Sequence, residues 1–198
     1  MNRIEDAVFC ILDLETASMS DSRPTRICEI GAIKTSGGGE VGRFQSLVNP
    51  EEPISPDVLN IHGISDEMVR EAPKFVDIAA AFRDFSKGTV LVAHNTAFDV
   101  LVLNQEMRRV GLSKWQGAAI DTIRLARKAF SGLPSYGLDG LSSFFELKFS
   151  ERHRSIGDCE MTLQVFWRCV TRLKELDKVR TLTDLLEAGR NHRAERIA

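Results

Sequence analysis

Hydrophobic and polar positions alternate with two different rhythms along this chain. Val8 to Leu14, Ile27 to Lys34 and Val41 to Val48 are rich in Val, Ile, Leu and Phe and are separated by Ser, Pro and Gly clusters, which predicts three consecutive strands. Between the second and third, Ser36-Gly37-Gly38-Gly39-Glu40 reads as a hairpin turn, because glycines supply positive φ. A phosphate-binding loop is disfavoured there, since no Lys-Ser/Thr follows and no helix begins. Beyond the Pro-rich link Asn49 to Pro56 the rhythm turns helical: Phe75, Ile78, Ala79, Phe82 and Phe85 share one face of a helix that ends before Gly88. Thr89 to Ala93 predicts a short strand, Phe98 to Val110 a helix stopped by Gly111, and Ala118 to Ile120 a further strand. A helix from Thr122 to Phe130 follows, with Asp121 as its N-cap, then a loop from Ser131 to Gly137 and a short helix from Leu138 to Phe145. The longest helix is expected from about Ile156 to Leu176, with Met161, Val165 and Cys169 on its apolar face. One or two last helical turns span Thr183 to Ala188 and stop at Gly189.

Three strands followed by strands alternating with helices predict an α/β fold: an antiparallel meander extended by parallel strands through right-handed crossovers, with helices covering the sheet. The 198 residues suit one such domain, expected over 1–189 with a short polar tail over 190–198. A hydrophobic content of 43% and a charged content of 27% exclude a disordered chain. The formal charge of −2 excludes a protein that holds nucleic acid by bulk charge, so any such contact is local or aided by bound cations. Cys10, Cys28, Cys159 and Cys169 lack C-x-x-C spacing and read as reduced, mostly buried thiols, not as zinc ligands or disulfides. No apolar stretch reaches membrane-spanning length, and Glu5 and Asp6 stand where a signal peptide would be basic and then apolar. A cytoplasmic protein is expected.

Candidate chemistry begins at Asp13-Leu14-Glu15-Thr16. On a strand, with a rise of roughly 3.3 Å per residue, Asp13 and Glu15 point the same way, and two such carboxylates repel unless a cation or proton lies between them. Asp99 follows the fourth strand at once, in His94-Asn95-Thr96-Ala97-Phe98-Asp99, where open α/β sheets place ligands. His153-Arg154-Ser155-Ile156-Gly157-Asp158 offers an imidazole five residues before a fourth acid, as the long helix begins. Such a set suits two-metal phosphodiester cleavage: carboxylates prefer Mg²⁺ or Mn²⁺, and a histidine of unperturbed pKa about 6.5 accepts a proton at neutral pH. Each segment also has a plainer reading. Asp13 and Glu15 alone fit solvated strand-end acids, and Ser155 to Asp158 fits a capping box. His94 and Asn95 fit loop hydrogen bonds, and Phe98 fits the core. Arg124, Arg127 and Lys128 fit a solvated helix face, while Arg152 and Arg154 flank the histidine. Three segments in this order and setting favour the joint, chemical reading.

Together the segments resemble the DEDD superfamily of 3′-5′ exonucleases, in the DEDDh (DnaQ-like) subclass typified by the epsilon proofreading subunit of bacterial DNA polymerase III. The resemblance runs from about Ala7 to Leu173. It implies a ribonuclease-H-like fold with a mixed five-stranded sheet. It implies that Asp13 bridges two metals, that Glu15, Asp99 and Asp158 ligate them, and that His153 is the general base. Ile61-His62-Gly63-Ile64 is similar to the family's segment against the terminal nucleotide, with Leu14, Thr16, Ile61, His62 and Phe98 as substrate contacts, and Glu29-Ile30-Gly31 is typical as well. Ser155, Gly157 and Cys159 depart from the alanines of many relatives, and Gly157 costs about 1 kcal/mol of helix stability. The implied activity is release of nucleoside 5′-monophosphates from single-stranded DNA 3′ ends, with a polymerase or repair protein as partner. The alternatives are an RNA-trimming exonuclease or oligoribonuclease, and a noncatalytic module that binds a polymerase or a nucleic-acid end.

Overall fold

The computed structural model describes residues 3–19 and 25–191. Five strands form one sheet: β1 (Val8–Thr16), β2 (Ile27–Ser36), β3 (Gly39–Leu47), β4 (Val90–Ala93) and β5 (Ala119–Asp121), in the order β3-β2-β1-β4-β5. The pairs β1–β2 and β2–β3 are antiparallel, whereas β1–β4 and β4–β5 are parallel. This is the expected meander with parallel additions. Gly37 and Gly38 turn the hairpin with φ of 58° and 89°.

Helices follow the strands. The sequence pattern registered α3 (Phe75–Ser86), α4 (Thr96–Arg109), α5 (Thr122–Ala129), α6 (Leu138–Phe145), α7 (Ser155–Glu175) and α8 (Leu182–Gly189). It did not register α1 (Pro56–His62) and α2 (Asp66–Val69), which are too short to display a helical repeat. Their punctuation is local all the same: Pro56 opens α1, and Gly63 closes it at φ 69°. The N-cap of α5 is Asp121, whose Oδ1 accepts from the Ile123 N–H at 2.9 Å.

One capping expectation fails. The N-cap of α7 is Arg154 without a side-chain cap, and Ser155 is the first helical residue. No capping box forms because the Ser155 N–H donates to Glu29 Oε2 on β2 at 2.9 Å.

The sheet separates two apolar layers, and the two-residue period of β1 feeds both. Phe9 and Ile11 pack with Met161, Val165 and Phe166 of α7 and with Leu125 of α5. Cys10, Leu12 and Leu14 pack on the other face with Phe82 of α3 and with Val100 and Leu103 of α4. All four cysteines are free and buried. Of the tail expected over 190–198, residues 192–198 lie outside the described residues. Asn191, expected to be frayed, is instead buried and donates through Nδ2 to Asp121 Oδ2 at 2.6 Å. Among the described residues no helix is long and apolar enough to cross a membrane.

Candidate active site

The row Phe9–Ile11 that faces α7 continues to Asp13 and Glu15, so the same alternation that buries two apolar residues presents two acids at the end of the strand. β1 runs on through the acidic segment to Thr16 because β2 stays paired with it, Asp13 opposite Gly31 and Glu15 opposite Glu29. The first turn of α7 lies directly on this edge. A Cβ on Gly31 would sit 2.7 Å from the Ser155 carbonyl carbon, so only glycine admits the helix here. Asp158, one turn into α7, thereby meets β1: carboxylate oxygens of Asp13, Glu15 and Asp158 lie within 4.8 Å of one another.

Asp99 stands outside this trio. It is buried in the first turn of α4, and its carboxyl interacts electrostatically with Asp13, Asp121 and Glu15. Burial raises all four, and neighbouring acids reinforce it at Asp13, Glu15 and Asp99. Glu15 is pushed up to about 9 by burial, then by Asp13 and Asp158. Asp13 is raised well above the carboxylate range by burial and Asp158, and Asp99 by burial and Asp13. Burial raises Asp158 too, against the lowering influence of Arg152 and His153. Acids held this far from their ordinary values favour protons or a cation among them. The oxygen-only donor set suits a hard divalent ion.

His153 lies in the turn before α7, half-buried and with a left-handed backbone at φ 59°. Its charge and its backbone N–H both act on Asp158, so the two are electrostatic neighbours. Each flanking arginine is tied to an acid. Arg152 Nη1 donates to Asp158 Oδ1 and Oδ2 at 2.7 and 2.6 Å, and its Nε to Asp139 Oδ1 at 2.6 Å. Arg154 Nη2 and Nε donate to Glu29 Oε1 and Oε2 at 2.6 and 3.1 Å. Burial pushes the Glu29 carboxyl up, but Arg154 and the Ser155 N–H outweigh it and hold it below its ordinary value. Glu29 is therefore a buried carboxylate beside the site whose charge is fully used, a role visible only once β1 and β2 are paired. Gly157 has an equally specific cause: a Cβ there would meet the Glu151 carbonyl oxygen at 1.7 Å, so the turn carrying His153 crosses the helix at the one residue without a side chain.

Beside the acids opens a cavity of about 260 Å³ lined by Leu14, Glu15, Thr16, Met19, Val58, Ile61, His62, Asn95 and Phe98. All five expected substrate contacts are here; Met19 and Val58 carried no sequence signal beyond being apolar. His62 is fixed at both nitrogens: Nδ1 accepts from the Ile64 N–H at 3.0 Å, which leaves the proton on Nε2 to donate to the Thr16 carbonyl at 3.2 Å. It thus braces the wall. Phe98 and Ile61 are 37% and 45% exposed, so Phe98 is rim, not core.

His94 makes the loop hydrogen bond expected of it, Nδ1 to Thr122 Oγ1 at 2.9 Å, and burial lowers it to about 4. On α5, Arg127 stacks 5.5 Å from the Tyr136 ring centroid, and Lys128 Nζ donates to the Glu187 carbonyl at 3.4 Å, in keeping with a structural face.

Residues 10–166 match the exonuclease family of RNase T. The chain is 36% identical over 168 residues to the PolC-type DNA polymerase III of Caldanaerobacter subterraneus subsp. tengcongensis, a match covering 85% of this chain and 12% of that protein. It is 34% identical over 197 residues to the PolC-type DNA polymerase III of Oceanobacillus iheyensis, covering 100% of this chain and 13% of that protein. The chain thus spans about an eighth of the length of these relatives. Among solved structures, exonuclease X in complex with 5′ overhanging duplex DNA superposes with a TM-score of 0.70 at 25% identity, covering 92% of this chain and 99% of that one. Escherichia coli exonuclease I in complex with a dT13 oligonucleotide superposes at 0.76 and 20% identity, over 87% and 43%. The shared architecture is the ribonuclease-H-like fold.

Proposed function

Since this chain belongs to the RNase T family of exonucleases, we propose that it hydrolyses single-stranded DNA from the 3′ end, releasing nucleoside 5′-monophosphates with two divalent cations, Mg²⁺ or Mn²⁺. The observation that carries this reading is the acid trio of Asp13, Glu15 and Asp158 opening directly onto a cavity that shares Glu15 as a wall. Asp13, Glu15 and Asp158 would hold the ions together with Asp99, whose carboxyl feels Asp13 and Glu15. When bound, the ions supply charge neutralisation at the phosphate and a lowered pKa for water.

The chain's own residues do the rest. Leu14, Thr16, Ile61 and Phe98 hold the terminal nucleotide, with the exposed Phe98 ring available for stacking on a base. His62 keeps the wall in place through the Thr16 carbonyl. His153 accepts, at an imidazole nitrogen, the proton of the water that attacks the last phosphodiester. Pairing of Glu29 with Arg154 holds the turn that presents His153.

The polymerase identity of the relatives and the DNA ligands of the structural neighbours favour DNA over RNA, and proofreading or repair beside a polymerase as the setting. The exonuclease domain is taken to span 1–189. The four buried reduced thiols fit a cytoplasmic location. Digestion of labelled DNA and RNA oligomers, with and without EDTA, tests the proposal through polarity, product and metal need together. Shortening from the 3′ end of DNA, blocked by EDTA and abolished by Asp13→Asn, is the expected result. Degradation of RNA alone transfers the assignment to RNA trimming, and no nucleotide release in Mn²⁺ from either substrate leaves only a binding module.

A further inference from the structure

Arg152 binds the acid cluster at the atoms that a metal ligand needs. One nitrogen, Nη1, lies 2.7 and 2.6 Å from the two oxygens of Asp158, which is only 7% exposed, so a cation that approaches Asp158 competes with this N–H for the carboxylate's lone pairs. The guanidinium charge also acts on Asp13 and Glu15, so its influence covers the whole trio. A second anchor is already engaged. Asp139 accepts from Nε at 2.6 Å, and its side chain is 74% exposed, so the guanidinium can release Asp158 without losing every partner. The planar fork of arginine makes this two-acid grip possible.

We infer that Arg152 is a resident counter-ion of the acid cluster, which occupies Asp158 until a divalent cation displaces it toward Asp139, and so sets the affinity of the site for metal. The inference rests on the metal-dependent reading above. It assigns Arg152 to neither substrate nor the reacting atoms.

Calorimetric titration with Mn²⁺ in the absence of nucleic acid, on the full chain, reads the competition. Arg152→Gln is expected to bind Mn²⁺ on the order of tenfold more tightly than wild type, because the competing charge is gone. Arg152→Lys, which keeps the charge but loses the fork, falls between the two; it also serves if the glutamine variant fails to fold. Thermal unfolding in EDTA at pH 8 separates direct contact from a diffuse field. Arg152→Gln should lower Tm by about 2–4 °C in the wild-type background, and by much less in an Asp158→Asn background, where there is no charge to neutralise. Unchanged or weaker Mn²⁺ binding in both Arg152 variants overturns the inference, as does an equal Tm loss in the two backgrounds. Absence of Mn²⁺ binding by wild type and variants alike overturns the metal site itself and this inference with it. The two failures are distinct, because in the first the wild type still binds.

Discussion

At the scale of single residues, His153 occupies a backbone conformation that few side chains adopt, and it does so between two arginines pulled toward different acids. Glu29 carries the firmer of these ties, since its side chain is 1% exposed and it also accepts from the Ser155 N–H. Replacing it with Gln leaves the Arg154 charge with only the exposed Glu151, 3.7 Å from Nη1. Glu29→Gln should therefore cost about 3 kcal/mol in urea unfolding, the magnitude typical of breaking a buried pair. A change below about 1 kcal/mol would mean that the turn is held elsewhere. For the imidazole itself, His153→Ala should lower turnover by roughly a hundredfold or more. Turnover unchanged by that substitution rules out His153 as the base.

At the scale of elements, the site is a joint between the edge of β1 and β2 and the first turn of α7, closed by two glycines with no room for a methyl group. Gly31 admits the helix to the sheet, and Gly157 admits the His153 turn to the helix. In an isolated helix, alanine at 157 would add about 1 kcal/mol of stability. Here its Cβ would lie 1.7 Å from the Glu151 carbonyl oxygen, so the turn must move. Gly157→Ala is thus expected to keep the circular dichroism of the folded domain while losing at least tenfold in turnover. Full activity in that variant would show that the turn tolerates displacement.

Across the whole molecule, four acids with raised pKa values make stability depend on pH in a direction opposite to that of ordinary ion-paired carboxylates. The folded chain holds these protons more tightly than the unfolded chain, so stability falls as pH rises above the ordinary carboxylate range, up to about 9 where folded Glu15 ionises. His94 acts in the other sense. Held down to about 4, it removes stability as pH falls below its ordinary value of about 6.5, and it is silent above it. Between pH 7 and 9 the acids set the slope together with the four buried thiols, whose protons burial holds in the folded chain after the unfolded chain has begun to lose them. Scanning calorimetry in EDTA should show Tm falling across that interval, Asp13→Asn should make the fall shallower, and Mn²⁺ should reduce it to the share left by the thiols. A flat profile for the wild type in EDTA would contradict the crowding of acids at the end of β1.

What the chain determines by itself is local. The two-residue period of β1 already put Asp13 and Glu15 on one face, glycines marked the hairpin, and Asp121 announced the start of α5. These features depend on backbone geometry over a few residues, which a linear pattern expresses directly. Tertiary structure decided the rest. Ser155 to Asp158 reads as a capping box until Glu29, 126 residues away, claims the Ser155 N–H. Gly157 reads as a weak point in a helix until the Glu151 carbonyl is laid across it. Arg152 reads only as a flank of His153 until α7 carries Asp158 beneath it. In each case the missing partner arrives through the strand order β3-β2-β1-β4-β5 and the packing of α7 upon it, and contacts across such separations leave no periodic trace in the sequence.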